Sequence, residues 1–304
     1  MQARYCFVGG VDRSGTTYLG AELSKIKNII CLPECQWYAR LLKIYGEEKI
    51  CSKKLINLLL KEISFQRYWK RAINFSQLKG KITINELHNY LTHNYFIYIT
   101  KTKYDNLDEV LFIDQTPANI RNFEILKQHR PNSKFIHIIR DPRAVINSLL
   151  RVDWGPTDIF EATDFWLKGI SYGLALSSAK RLDYFQIRYE DLLLDLEPQK
   201  NTLCKFLQIN YELNKDWSPS LLPIVKYNKK QHIDVGKSPQ LENIEKWKYQ
   251  LSSRQIHHIQ KETNTLIVAL NYCIEKNSSS AYTYSEYICI KVLSYIKKMI
   301  RKIK

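Results

Sequence analysis

Short apolar runs, each closed by glycine, proline or charge, recur along the chain and predict buried β-strands. They are Tyr5–Val8, Ile29–Leu32, Val110–Ile113, Phe135–Ile139 and Tyr184–Arg188. Between them the apolar positions fall at helical spacing, as in Leu19 and Leu23, or Phe165, Trp166, Ile170 and Leu174. From Gln36 to about residue 100 the pattern is helical throughout. Leu55, Leu58, Leu59 and Ile63 share one face there, with Lys53, Lys54 and Lys61 off it. Strands separated by helices predict an α/β fold, a parallel sheet with right-handed crossovers. Such sheets bind ligands outside the carboxyl ends of their strands. Arg13, Glu34, Gln115, Thr116 and Arg140 each fall just beyond a predicted strand end, so the layout gathers them on one edge.

The first strand runs into Gly9-Gly10 and then Arg13-Ser14-Gly15-Thr16-Thr17, which opens a helix. A strand, a glycine-containing turn and a helix N-terminus aim backbone N–H groups at one point, an arrangement suited to phosphate. The spacing of Gly10 and Gly15 is that of a Walker loop, but Thr16 stands where its lysine would be, and Arg13 supplies the charge. A kinase reading is disfavoured by that missing lysine. A turn that needs glycine only for its backbone remains open for this stretch taken alone.

A second segment, Ile138-Ile139-Arg140-Asp141-Pro142-Arg143 through Ser148-Leu149-Leu150, follows the fourth strand, and Ile187-Arg188-Tyr189-Glu190-Asp191-Leu192-Leu193 follows the fifth. Together with VGGVDRSGTTYL near the N-terminus, these segments resemble the sulfotransferases, across most of residues 4–250. The GGVxRSGTT form is most similar to the membrane-associated carbohydrate and tyrosylprotein branches. The resemblance implies a P-loop-like parallel sheet and a first loop, Arg13, Ser14, Gly15, Thr16 and Thr17, that holds the 5′-phosphosulfate of 3′-phosphoadenylyl sulfate (PAPS). It implies that Arg140 and Ser148 hold the 3′-phosphate and that Tyr189 lies on the adenine side, with no metal required. Glu34 matches the catalytic base of the tyrosylprotein branch, against a plainer reading as a helix cap or a partner of Arg40. His88, His93, His129 and His137 are alternative bases, since small-molecule members use histidine. Gln115 replaces a lysine that the family often places before Thr-Pro, which also keeps a non-catalytic nucleotide-binding scaffold in view. Arg143 either supports the 3′-phosphate or pairs with Asp141. Lys237 and Lys246 lie in the late basic segment that folds over the nucleotide in the family. The implied acceptor is a hydroxyl of a carbohydrate or glycolipid, with a tyrosine peptide as the alternative.

Composition changes this picture in three places. A net charge of +16 suits an anionic ligand or surface. Nucleic acid is excluded as the partner by the lack of any zinc-finger, helix-turn-helix or RRM signature. Seven cysteines without a C-x-x-C pair predict reduced, mostly buried thiols, and Cys31 and Cys35 lack the histidine partners of a metal site. The early first strand and the want of an apolar run long enough to cross a bilayer predict a cytoplasmic protein. The expected organisation is a sulfotransferase domain over 1–276, with a helical insert over about 36–100, and a basic tail over 277–304. Aromatics in the insert, Trp37, Tyr38, Phe65, Tyr68 and Trp69, are core or line an acceptor groove. The tail carries six lysines and arginines against one acid, with Ile288, Val292, Tyr295, Ile296, Met299 and Ile303 at helical spacing. It reads either as an amphipathic helix whose lysines meet an anionic membrane, possible at the inner face, or as a helix packed on the domain.

Overall fold

The computed structural model describes residues 4–62, 65–66, 69–70, 74–101, 109–218, 240–276 and 279–303. Five parallel strands form the central sheet: β1 (Arg4–Gly9), β2 (Ile29–Leu32), β5 (Leu111–Asp114), β6 (Lys134–Ile139) and β7 (Tyr184–Arg188), in the order β2-β5-β1-β6-β7. This is the expected α/β class. The chain leaves β1 toward β2 on one side and later passes from β5 to β6 on the other, so the crossovers diverge at the carboxyl end of β1.

Alternation along β1 explains why the sheet is covered on both faces. Tyr5 and Phe7 point into an aromatic layer with Phe112, Phe135, Tyr38 and Trp37. Cys6 and Val8 point the other way, toward Leu19, Leu23, Ile113 and Ile136. The first layer is roofed by helices α2 (Gln36–Tyr45), α4 (Ile84–Thr100) and α5 (Phe123–His129). The second is covered by α1 (Thr16–Leu23), α8 (Tyr189–Leu194) and α9 (Leu196–Leu207). Each fully buried large apolar side chain contributes roughly 1.5–3 kcal/mol. Trp37, Tyr38, Phe65 and Trp69 are core residues of the first layer; Tyr68 lies outside the described residues.

The expected all-helical segment departs from its pattern in one respect. β3 (Ile50–Cys51) pairs antiparallel with β4 (Lys81–Ile82), bracketing α3 (Ser52–Leu60). Two-residue strands are too short to show a period of two, and so carry no sequence pattern. Thr83 and Glu86 form a reciprocal capping box that starts α4. Asn89 and Thr92 of that helix hydrogen-bond the Tyr5 hydroxyl, and Arg130 Nη2 donates to Asn89 Oδ1 at 2.7 Å.

A third core joins α6 (Pro142–Leu149), α7 (Ile159–Ser178) and α10 (Ser253–Ala269). The tail forms α11 (Tyr284–Ile303), which meets the loop 152–158 and the start of α7. Lys291 pairs with Asp158, Lys298 with Glu161, and Arg301 Nη1 donates to the Gly155 carbonyl at 2.6 Å. Ser294, 3% exposed, meets the Thr157 hydroxyl. Neither reading of the tail anticipates this orientation: the helix docks by its polar stripe. Asn277 and Ser278, the first two residues of the expected tail, lie outside the described residues.

Candidate active site

The loop after β1 is shaped by close backbone approach. A side chain on Gly10 would place its Cβ 2.3 Å from the Ile138 carbonyl oxygen of β6, and Gly10 N–H donates to Pro117 O at 3.0 Å. Arg13 has φ 73° and Gly15 φ 104°, so the chain turns twice through the left-handed region before α1 begins. A Cβ on Gly15 would meet the Tyr189 ring at 2.5 Å, which fixes glycine there on two grounds. No side chain caps α1, and its first turn holds no acid. The Ser14 hydroxyl is buried beside it with no hydrogen-bond partner among the described residues. Thr16 is buried and Thr17 partly exposed in the first turn of the helix.

The segment after β6 meets this loop directly. Arg13 Nε donates to Ser148 Oγ of α6 at 3.1 Å. Arg140 Nη1 donates to the Arg13 carbonyl at 3.2 Å and Nη2 to the Asn243 carbonyl at 2.7 Å, while its guanidinium lies 4.2 Å from the Tyr189 ring centre. Arg140 Nε is buried without a partner among the described residues. Burial, and after it the charge of Arg140, lower the Arg13 guanidinium from its ordinary value. Two arginines therefore face the same loop, in the kind of site that draws an anion.

Across the edge, Glu34 follows β2. Burial pushes its carboxyl up to about 7; a hydrogen bond from Gln36 and the charge of Arg13 oppose the rise, and Asp12 and Asp114 add to it. Its backbone is fixed from β5. Asp114 Oδ1 accepts from the Thr116 N–H at 2.9 Å and from the Thr116 hydroxyl, whose oxygen accepts the Cys35 N–H at 2.7 Å. Trp69 Nε1 donates to the Glu34 carbonyl at 3.4 Å. The Glu34 carboxylate takes its hydrogen bond from Gln36, while Arg40 pairs with Glu62 instead.

The structure thus gathers Arg13, Ser14, Gly15, Thr16, Ser148, Arg140 and Tyr189 around one loop. Other candidates are engaged elsewhere. The Gln115 side chain is buried under α1, its Oε1 3.2 Å from where a Cβ on Gly20 would sit. Arg143 is buried in a bidentate pair with Asp141, donates to Gln260 Oε1 at 2.8 Å and lies 4.0 Å from the Trp247 ring centre. His88 stacks on Tyr38 at 3.9 Å, and burial drives its pKa well down. His137 is buried against Gly173 and Tyr184, with its pKa lowered to about 4 by burial. His129 is buried in α5 and His93 partly buried in α4. Lys246 donates to Asn243 Oδ1 at 2.6 Å; Lys237 lies outside the described residues. Two participants escape sequence reasoning. Asn243 acts through a backbone carbonyl, which no residue type announces. Asp12 stands inside the same loop without any motif to mark it; burial raises its carboxyl, and the charges of Arg121 and Arg13 oppose the rise.

Residues 6–212 match the profile of the Sulfotransferase family. The chain belongs to the sulfotransferase family. Protein-tyrosine sulfotransferase A of Caenorhabditis elegans is 24% identical over 215 residues, covering 68% of this chain and 50% of that protein. The chain therefore spans about half the length of that relative. In fold, it is similar to the sulfotransferase domain from the curacin biosynthetic pathway, with a TM-score of 0.59 and 19% identity over 90% of this chain and 99% of that one. It is similar also to the sulfotransferase domain of the Synechococcus PCC 7002 olefin synthase, with a TM-score of 0.58 and 20% identity over 90% and 96% of the two chains. The same edge of the sheet thus carries the buried Ser14 hydroxyl and Arg140 Nε, without hydrogen-bond partners among the described residues, and a carboxyl raised to about 7 by burial.

Proposed function

We propose that the protein transfers a sulfuryl group from PAPS to the hydroxyl of a carbohydrate or glycolipid, with Glu34 as the base. The observation that carries this reading is a pair of buried polar atoms, Ser14 Oγ and Arg140 Nε, without partners among the described residues, at a loop lined by two arginines. A buried polar atom left unpaired costs about 1–3 kcal/mol, so its retention at such a loop suits a ligand that completes it. The uncapped first turn of α1 adds backbone N–H donors of the same sense.

In this reading the loop 13–17 holds the phosphosulfate, and Arg140 and Ser148 take the 3′-phosphate, with Tyr189 as the platform beneath Arg140. The acceptor oxygen bonds to sulfur as the bond from sulfur to the bridging phosphate oxygen breaks. The electron pair leaves with adenosine 3′,5′-bisphosphate, and the hydroxyl proton passes to Glu34. Arg13 and the loop N–H groups stabilise the charge growing on the bridging oxygen. A sulfuryl group carries less charge than a γ-phosphoryl group, so these cations suffice in place of a metal. With Gln115 turned under α1, Arg13 bears the leaving-group charge that a lysine shares elsewhere in the family. Residues 1–276 form the catalytic domain, with 36–100 as its insert.

A second reading has tyrosine in a polypeptide as the acceptor, favoured by the name of the nematode relative. A carboxylate with a pKa of about 7 is matched to either acceptor at neutral pH. Incubation with sulfur-labelled PAPS and a cell extract separates them. Label in glycan or lipid that survives protease supports the first reading; label released as sulfotyrosine supports the second. No transfer to any fraction, with PAPS bound, overturns both.

A further inference from the structure

Among the described residues nothing covers the outward face of α11. The cationic stripe of the helix, Lys291, Lys298 and Arg301, is spent on Asp158, Glu161 and backbone carbonyls of 152–155. At 100° per residue the opposite arc carries Ile288, Val292, Tyr295, Ile296, Met299 and Ile300, with no charge among them. Tyr295 is 65% exposed and Val292 54%, an inversion of the usual packing of an amphipathic helix. Twenty residues make a strip about 30 Å long and roughly 10 Å wide, about 300 Å². A stable protein interface needs about 800 Å² on each partner, so the strip is too small to hold a second copy by itself.

We propose that this face rests on an anionic lipid bilayer, with the apolar side chains in the headgroup boundary and the catalytic domain above it. Charge supports that occupant over a neutral one. The chain carries +16, and exposed Lys297 borders the apolar arc. Tyr284 and Tyr295 are exposed on the helix, the residue type that settles at membrane–water boundaries, whereas Tyr287 packs on Phe160 of the domain. Among the described residues no helix is long and apolar enough to cross a membrane, so contact is confined to the surface. The lysines expected to meet lipid instead hold the helix by its polar side, which orients the apolar side outward. This inference does not depend on the transfer chemistry.

The test is sedimentation of the full chain with vesicles of phosphatidylcholine alone and with an equal share of phosphatidylglycerol, at low and high salt. The expected result is binding to the anionic vesicles, weakened by salt. The double substitution Val292→Asp and Ile296→Asp should lower that binding about tenfold or more while leaving the circular dichroism and the affinity for adenosine 3′,5′-bisphosphate unchanged. Sedimentation velocity on the same proteins reads self-association. Failure to bind anionic vesicles, equal binding by the double variant, or a dimer abolished by the double substitution without vesicle binding would each overturn the proposal.

Discussion

Arg13 Nε lies 3.1 Å from Ser148 Oγ, joining the loop after the central strand to a helix 135 residues further along the chain. The contact brings together the segments that follow two adjacent parallel strands, β1 and β6. It also turns the Arg13 side chain toward α6 and the Arg140 side, within the field of a second guanidinium. Replacing Arg13 by alanine should therefore lower kcat by about 10²–10³, the effect of removing a donor aimed at developing charge. Ser148→Ala should cost only about 0.5–1.5 kcal/mol in donor affinity. Steady-state kinetics with labelled PAPS checks both; equal losses for the two would contradict the division.

Arg140 is held by two backbone carbonyls and by the face of Tyr189, with the Glu190 carboxyl in its field but no carboxylate hydrogen-bonded to it among the described residues. Its charge is thus available to a phosphate. Arg140→Ala should weaken adenosine 3′,5′-bisphosphate by about 1.5–3 kcal/mol and leave adenosine 5′-phosphate nearly unchanged. Titration calorimetry with the two ligands is the measurement. Equal weakening would assign Arg140 to loop structure alone.

Glu34 should set the acid limb of the rate profile. Its carboxyl, raised to about 7, must be ionised to take a proton, so kcat should rise with pH through about 7 and then level. Glu34→Gln should keep PAPS affinity and lose about 10²–10⁴ in kcat, with that limb gone. A limb that survives the substitution would move the base to another group.

The same shift fixes the sign of a stability effect. Below its ordinary value near 4.5 the carboxyl is protonated in both states; between 4.5 and about 7 the folded chain holds a proton that the unfolded chain has lost. Stability linked to Glu34 is therefore full at acid pH and is lost as pH rises through about 7. Glu34→Gln should exceed the wild type by about 1–3 kcal/mol at pH 8, a gap that closes toward pH 5. Urea denaturation at the two pH values measures it, and a gap independent of pH would contradict the shift.

The sheet was legible because four of its strands are apolar runs buried almost throughout, and the edge strand β7, only partly buried, still opens on an apolar pair, Tyr184-Phe185. The edge carrying Arg13, Glu34, Thr116 and Arg140 followed from strand ends alone, since parallel strands place all their carboxyl ends together. What stayed hidden depends on partners distant in sequence. Gln115 turns under α1 because Gly20 leaves room there. Arg143 is bound to Asp141 and Gln260 because α10 packs against α6. The period of α11 defines two faces, but only the acids at 158 and 161 decide which one meets the domain.

The central claim is a site built for a 3′-phosphorylated nucleotide donor, and calorimetry on the unmodified protein tests it most directly. Titration with adenosine 3′,5′-bisphosphate and, separately, with ATP should give tight binding of the bisphosphate and binding of ATP weaker by at least about tenfold, the loss of one charge-assisted phosphate contact. Tight binding of ATP with none of the bisphosphate would contradict the account.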